Sequence, residues 1–333
     1  MAAELTVLGG GAWGTALALH AARAGRPARL WVHDPQRAAA IAARRVNETY
    51  LPGHTLPASV EVTSELGRAL EGAREILVAV PSHHGRPVLA AARPHLGSEA
   101  VVCLASKGIE NGTLLRPSQV AGAVLGKGTR LAVLCGPSFA QEVAAGHPTA
   151  VVVASDDAGA ADRLQQGLSW GPLRAYTNDD VTGSELGGAL KNVIAVGAGV
   201  VDGLGYGANT QAALITRGLA EISRLAEAMG GRRETLAGLA GLGDLVLTCT
   251  SGLSRNRRLG SALGRGETLA SFQAATPHVA EGLRTTLSAH MLAGRLGVAM
   301  PITAQIHALL YEGKPAAEAI HELLGRRLTR EGV

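Results

Sequence analysis

The sequence predicts an α/β N-terminal domain built on a doubly wound parallel sheet, joined to an all-α C-terminal domain. Three observations carry that prediction. From Glu4 to about Thr177, short β-like runs alternate with Ala/Leu-rich helical runs. Several of those runs are apolar throughout, as expected when helices cover both faces of a sheet. Beyond about Asn178 the β-like runs become rare and apolar residues recur at helical spacing. The division is placed there, at 1–178 and 179–333, and 333 residues suit two domains better than one.

Leu5-Thr6-Val7-Leu8 opens the sheet and leads directly into Gly9-Gly10-Gly11-Ala12-Trp13-Gly14 and a helical run over Thr15 to Ala24. Further strand runs are Ala28 to Val32, Ile76 to Val80, Val101 to Leu104, Leu131 to Leu134 and Ala150 to Val153. Pro35 to Pro57, including Tyr50-Leu51-Pro52-Gly53-His54, is a longer excursion after the second strand. In the second half, Ile215, Leu219, Ile222, Ala226 and Met229 form one apolar helix face, ended by Gly230-Gly231. Val279 to Leu296 and Ile302 to Tyr311 extend the helical reading, with Gly297 and Pro301 punctuating between them.

Composition removes several classes of function. No apolar run reaches the roughly 20 residues that span a bilayer, so no stable membrane insertion is expected. Met1 to Gly11 contain Glu4 and run straight into a strand, unlike a signal peptide, which implies a cytoplasmic protein. Cys103, Cys135 and Cys249 are odd in number and widely spaced, against a disulfide framework or a zinc site. They read as reduced and buried. The net charge is only +4, aromatics are 3%, and the arginines are scattered, so nucleic acid is not the expected partner. A modest positive excess suits anionic small ligands.

Gly9, Gly11 and Gly14 occupy the three positions of a dinucleotide fingerprint, and their strand-to-helix context gives the pattern its weight. Gly9 allows the tight turn, Gly11 lets the backbone approach a pyrophosphate, and Gly14 lets helix and strand pack closely. Asp34 ends the second strand about 20 residues later, where a carboxylate accepts hydrogen bonds from an adenosine ribose. The N-terminal domain is therefore Rossmann-type. Asp34 favours a free 2′-hydroxyl, whereas His33 and Arg37 suit a 2′-phosphate, so NADH and NADPH both stay open.

Lys191 is the only charged side chain between Glu185 and Asp202, in an otherwise apolar and glycine-rich stretch. As a helix, that stretch puts Gly187, Gly188 and Ala195 one turn away, too small to cover the amine, which would then face a cavity. Burial pulls a lysine pKa towards neutrality, which suits a proton donor. A structural lysine paired with a carboxylate is the other reading. The chain holds only four lysines against 27 arginines, so a lysine that persists points to work arginine cannot do, such as losing a proton.

Lys107 follows the strand ending at Leu104, at the carboxyl edge of the sheet where ligands bind in such folds. Cys135-Gly136-Pro137-Ser138-Phe139-Ala140 also leads from a strand into a helix. Ser254-Arg255-Asn256-Arg257-Arg258 starts a helix with a basic first turn, unfavourable alone but favourable when an anion sits at the helix N-terminus. Asp244 could orient Lys191, accept from a substrate hydroxyl, or be a loop acid without chemistry. His83-His84 have no partners at metal-ligand spacing, and no metal is expected.

Together these motifs resemble the bacterial-type NAD(P)-dependent glycerol-3-phosphate dehydrogenases, nearly end to end. The resemblance rests on Gly9 to Gly14, Val80-Pro81-Ser82-His83, Ser106-Lys107-Gly108, Gly136 to Ala140, Gly187 to Ala195, Ala240 to Leu245, Ser254 to Arg257 and Val279-Ala280-Glu281-Gly282. It implies Lys191 as catalytic acid/base, with Lys107, Gly136, Ser138, Asp244, Ser254, Arg255 and Asn256 lining a small phosphorylated substrate. It places Ala12, Trp13, His33, Lys107, Ala140, Arg255, Val279 and Glu281 on the cofactor, beside the glycines and Asp34. It also implies a cytoplasmic homodimer that reduces dihydroxyacetone phosphate to sn-glycerol 3-phosphate for glycerophospholipid synthesis. Ala12 stands where a serine is common and His33-Asp34 where an arginine is frequent, leaving NADH or NADPH with a lean to NADPH. Two rival readings stay open: a related two-domain hydroxy-acid or sugar-acid dehydrogenase, and a non-catalytic NAD(P)H sensor.

Overall fold

Strands β1 (Leu5–Leu8), β2 (Ala28–Trp31), β3 (Val46–Asn47), β4 (Leu51–Thr55), β5 (Val60–Thr63), β6 (Glu75–Val78), β7 (Val101–Leu104), β8 (Arg130–Cys135), β9 (Thr149–Ala154) and β10 (Leu173–Asn178) alternate with helices in the first half of the computed structural model, which describes residues 5–275 and 280–327. The helices are α1 (Ala12–Arg23), α2 (Pro35–Arg44), α3 (Leu66–Leu70), α4 (Ser82–Ala92), α5 (Pro117–Leu125), α6 (Ala140–Ala145) and α7 (Ala158–Leu168). Eight strands form one sheet in the order β10-β9-β8-β7-β6-β1-β2-β5, while β3 and β4 pair as a separate antiparallel ribbon. That ribbon and α2 fill the excursion after the second strand.

The sheet departs from the expected parallel design at one pair. β8 and β9 run antiparallel, and β10 is parallel to β9. Between β8 and β9 the only helix is α6, six residues and about 9 Å long, too short to carry the chain back along strands of six residues and about 20 Å. The eleven residues of α7 suffice for the crossover from β9 to β10. In the remaining strands the order reverses between β1 and β6, since β2 and β5 lie on one side and β7 and β8 on the other. This is the switch point at which open α/β sheets bind ligands beyond their carboxyl edge. Gly9 and Pro81 follow the two strands that flank it.

The rest is helical: α8 (Val181–Gly203), α9 (Ala208–Ala228), α10 (Arg233–Ala237), a π-helical turn over Leu239–Gly243, α11 (Asp244–Thr250), α12 (Arg255–Gly264), α13 (Leu269–Ala275), α14 (Glu281–Leu296), α15 (Pro301–Tyr311) and α16 (Ala316–Leu324). The chain parts into two units, Met1–Ser106 with Pro117–Val181, and Lys107–Arg116 with Thr182–Val333. Ten residues that leave β7 thus pack with the helices.

α8 is the axis of the helical unit, buried from Gly183 through Val201. Glycines make that possible. A methyl group on Gly199 or Gly203 would strike the carbonyls of Arg257 or Ser261 in α12, and one on Gly260 or Gly264 would strike those of Val196 or Val200 in α8. Each glycine costs about 0.5–1 kcal/mol of helix propensity, offset by direct contact between the two backbones. Glu221 of α9 seals another junction, its buried carboxylate accepting from the N–H groups of Ile302 and Thr303 at the start of α15. No described helix is long and apolar enough to cross a membrane.

We expect Gly199→Ala to destabilise the protein by at least about 1–3 kcal/mol, because α8 and α12 must separate. Gly252→Ala, whose added methyl meets nothing within 4 Å, stays within about 0.5 kcal/mol. Urea unfolding of both variants checks the contrast.

Candidate active site

In the α/β unit, Gly9 adopts φ +125, and a methyl there would lie 2.6 Å from the Ala79 carbonyl oxygen. Gly14 faces the carbonyl of Gly9 so closely that no side chain fits. Gly11 caps α1 in an extended conformation, the first turn of α1 holds no acid, and no side chain caps it. Its N–H groups are left for a ligand, and an added methyl on Gly11 meets nothing within 4 Å. The indole N–H of Trp13 is buried without a hydrogen-bond partner. Ala12 is the first residue of α1. Uncapped donors, glycines and an orphaned indole fit the pyrophosphate of a dinucleotide. Asn47, fully buried, braces the turn by donating to the Gly10 carbonyl at 2.9 Å and the Thr15 hydroxyl at 2.8 Å.

At the end of β2, the carboxylate expected to meet a ribose also caps a helix. Asp34 caps α2, Oδ1 accepting from the N–H groups of Gln36 and Arg37, while Oδ2 lies 3.7 Å from the Arg37 guanidinium. Arg37 in turn lies over the Tyr50 ring, 5.0 Å from its centroid. His33 is exposed and meets Trp31 edge-on at 5.6 Å. Gly136 ends β8 with φ +104, Ser138 donates to the Gly136 carbonyl at 3.0 Å, and Ala140 opens α6. These three share the α/β unit with the glycine turn.

The remaining described site residues lie in the helical unit, where two lysines meet one carboxylate. Asp244 is 0% exposed; Lys191 hydrogen-bonds to its Oδ1, and Lys107 donates to Oδ2 at 2.8 Å. Lys191 itself is 6% exposed. Gly187, one turn before Lys191, explains how Asp244 arrives: where its Cβ would stand, the backbone of Ala240 and Gly241 lies within 3.1 Å. On the Gly187 side, the space beside α8 is therefore filled by the π-helical turn that delivers Asp244. Burial pulls the Lys191 pKa down to about 8, with Asp244 opposing the shift and the Lys107 charge adding to it.

Asn192, the residue after Lys191, ties the surroundings together. Its Nδ2 points to the Lys107 carbonyl at 3.5 Å, and its Oδ1 accepts from Asn256 at 2.8 Å. Asn256 then accepts from the Gly282 N–H at 2.9 Å. Ser254 is buried and caps α12 by accepting from the Arg257 N–H at 3.2 Å, while Arg255 is exposed at the first turn. Arg257 pairs with Asp202 of α8 at 3.0 Å, so this part of the basic run is structural. Glu281 begins α14 half-buried; burial pushes its carboxyl up, against the pull of Arg255, Lys191 and Lys107. Val279 lies outside the described residues. Among the described residues no cluster of three metal-binding side chains occurs.

A dinucleotide-type crevice in one unit and a buried, titratable lysine in a helical unit define a nicotinamide-dependent dehydrogenase of the two-domain class. Residues 4–161 match the N-terminal and residues 180–321 the C-terminal profile of NAD-dependent glycerol-3-phosphate dehydrogenase, and the chain belongs to that family. It is 51% identical over 332 residues to glycerol-3-phosphate dehydrogenase [NAD(P)+] of Koribacter versatilis, covering 98% of both chains. It is 50% identical over 330 residues to the enzyme of that name from Shewanella amazonensis, covering 99% of this chain and 97% of the relative. The crystal structure of glycerol-3-phosphate dehydrogenase from Coxiella burnetii superposes with a TM-score of 0.93 at 42% identity, covering 97% and 98% of the two chains.

Asp244→Asn is expected to destabilise the protein by about 3–5 kcal/mol at pH 7, since it strands two ammoniums in a buried site. Lys191 binds its proton less tightly folded than unfolded, so its contribution to stability rises with pH between about 8 and 10.5. Losing Asp244 lowers the folded pKa further and extends that rise to lower pH. Urea unfolding of both proteins from pH 6 to 10 measures the two effects.

Proposed function

We propose that this chain catalyses the reversible, NAD(P)H-dependent reduction of dihydroxyacetone phosphate to sn-glycerol 3-phosphate, with Lys191 as the proton donor. The observation that carries the reading is the Lys191–Asp244–Lys107 cluster, an ammonium with its pKa drawn to about 8 and held by a dry carboxylate. When bound, reduced nicotinamide supplies the hydride that adds to C2 of the ketone. Lys191 gives its proton to the alkoxide forming at the C2 oxygen and regains one from water. Asp244 keeps that amine charged and aimed, and Lys107 polarises the same oxygen. A positioned acid of this kind contributes roughly 10²–10⁴-fold to rate.

Lys107, Lys191 and Arg255 outnumber Asp244 and Glu281, which suits an anionic substrate. Arg255 and the N-terminus of α12 hold the phosphate, with Asn256 and Ser254 fixing that helix start. Gly136 and Ser138 complete the substrate site. Gly9, Gly11, Ala12, Trp13 and Gly14 would hold the dinucleotide, with His33, Asp34, Ala140, Lys107, Arg255 and Glu281 contributing further contacts. Arg37, held over Tyr50 beside the exposed His33, favours NADPH over NADH. In this reading residues 1–178 supply most of the cofactor site, 179–333 the acid and the phosphate site, and the working form is a cytoplasmic homodimer feeding glycerophospholipid synthesis. Family membership weighs against a hydroxy-acid dehydrogenase, and a titratable lysine against a sensor without turnover.

The test follows NADPH absorbance with the purified protein. Dihydroxyacetone phosphate is expected to be reduced and unphosphorylated dihydroxyacetone not. Lys191→Ala should lose at least about 10²-fold in kcat while binding NADPH normally; retention of more than about a tenth of the rate removes Lys191 as the acid. Because reduction uses the ammonium form, its kcat/KM is flat on the acid side and falls as pH rises through about 8. The reverse reaction gains over the same range.

A further inference from the structure

Lys107 is held beside a second ammonium, and something must keep it there. Like charges repel, and a long cationic side chain at the margin of a site is free to turn towards water. Its backbone is correspondingly restrained. The segment Lys107–Arg116 departs from β7 and packs within the helical unit. Ile109 and Leu114 enter the helical core, and Asn111 accepts a hydrogen bond from Ser288 of α14. Leu114 holds a left-handed φ of +60, a conformation that persists in a leucine only where its surroundings enforce it. At the far end Arg116 and Glu185 form an ion pair, both side chains buried.

Glu185 stands on α8, six residues before Lys191 and about 9 Å away along the same helix. The segment is thus fastened to α8 near both ends: the Lys107 carbonyl by Asn192, and Arg116 by Glu185. We propose that the Arg116–Glu185 pair is a positioning element of the reaction, fixing the far end of this segment on the helix that carries Lys191 and so holding Lys107 on Asp244. Neither residue touches the reacting atoms; both act through Lys107. A buried pair is costly to keep, and its retention here follows from the register it imposes. The inference rests on Lys191 being the proton donor.

The experiment compares full-length Glu185→Gln with the wild type and with Glu221→Gln, a control that loses an equally buried carboxylate elsewhere in the helical unit. For each, kcat/KM for dihydroxyacetone phosphate is recorded against pH beside thermal unfolding. We expect Glu185→Gln to lose about 10- to 100-fold in kcat/KM, the usual cost of displacing a reacting group by about an ångström. Its alkaline limb should also move above pH 8, because Lys107 no longer lowers the Lys191 pKa while Asp244, Glu281 and Arg255 stay in place. Glu221→Gln should lose stability yet keep both KM and the pH midpoint. A folded Glu185→Gln with a rate within about twofold of wild type and an unmoved midpoint overturns the proposal. If it does not fold, the charge-free pair Arg116→Met with Glu185→Met takes its place under the same criteria. Failure of that variant to fold also overturns it, since the pair would then support the whole unit. A dead Lys191→Ala beside a normal Glu185→Gln removes only the positioning role; an active Lys191→Ala removes the acid assignment itself.

Discussion

Two ammoniums sharing one fully buried carboxylate is the constraint around which the helical unit is organised. Taken from water singly, any of the three charges would cost several kcal/mol, and an unpaired lysine would surrender its proton instead. Sharing leaves the cluster one positive charge in excess, so it stays responsive: Lys191 is charged near neutral pH yet close to release. A fully neutralised pair would hold its proton too firmly for transfer, and an isolated amine would not hold it at all. The balance depends on Asp244 reaching both amines, and hence on how near the π-helical turn before α11 approaches α8.

Small residues set that approach. Gly187 admits the backbone of Ala240 and Gly241, and the glycines of α8 and α12 press the two helices together where Asn256 reaches Asn192, the residue after the lysine. Chemistry-bearing side chains are thus aimed by backbones in contact rather than by interlocking large side chains. Such contacts give little, since a carbonyl cannot change rotamer. That rigidity suits a group whose proton affinity varies steeply with an ångström of displacement.

Much of this was legible in the sequence wherever the signal was local. The glycine turn was readable because strand, glycines and helix are contiguous, and Lys191 because an ammonium within an apolar helix violates composition. Asn192, an uncharged amide one residue later, gives a weaker local signal than the lysine beside it. The pairing of Lys107 with Asp244 was not readable: 137 residues separate them, and neither local pattern mentions the other. Nor was Asn47, a lone amide in an irregular stretch, readable as the brace of the glycine turn. Asp34 reads as a ribose acceptor because it ends a strand; that it also caps α2 comes from the helix that begins at Pro35. The direction of β9 hung on the length of α6, which a pattern of apolar residues does not fix.

The excursion of Lys107–Arg116 into the helical unit bears on how such proteins can be recombined. The covalent chain passes between the units at Ser106, at Arg116 and again at Val181, whereas a cut at one point would treat the halves as exchangeable cassettes. A chimera spliced near Val181 would take Lys107 and Arg116 from one parent but Asp244 and Glu185 from the other. Its charges would match only where both parents had inherited the same pairings, so the two halves are bound to diverge in step.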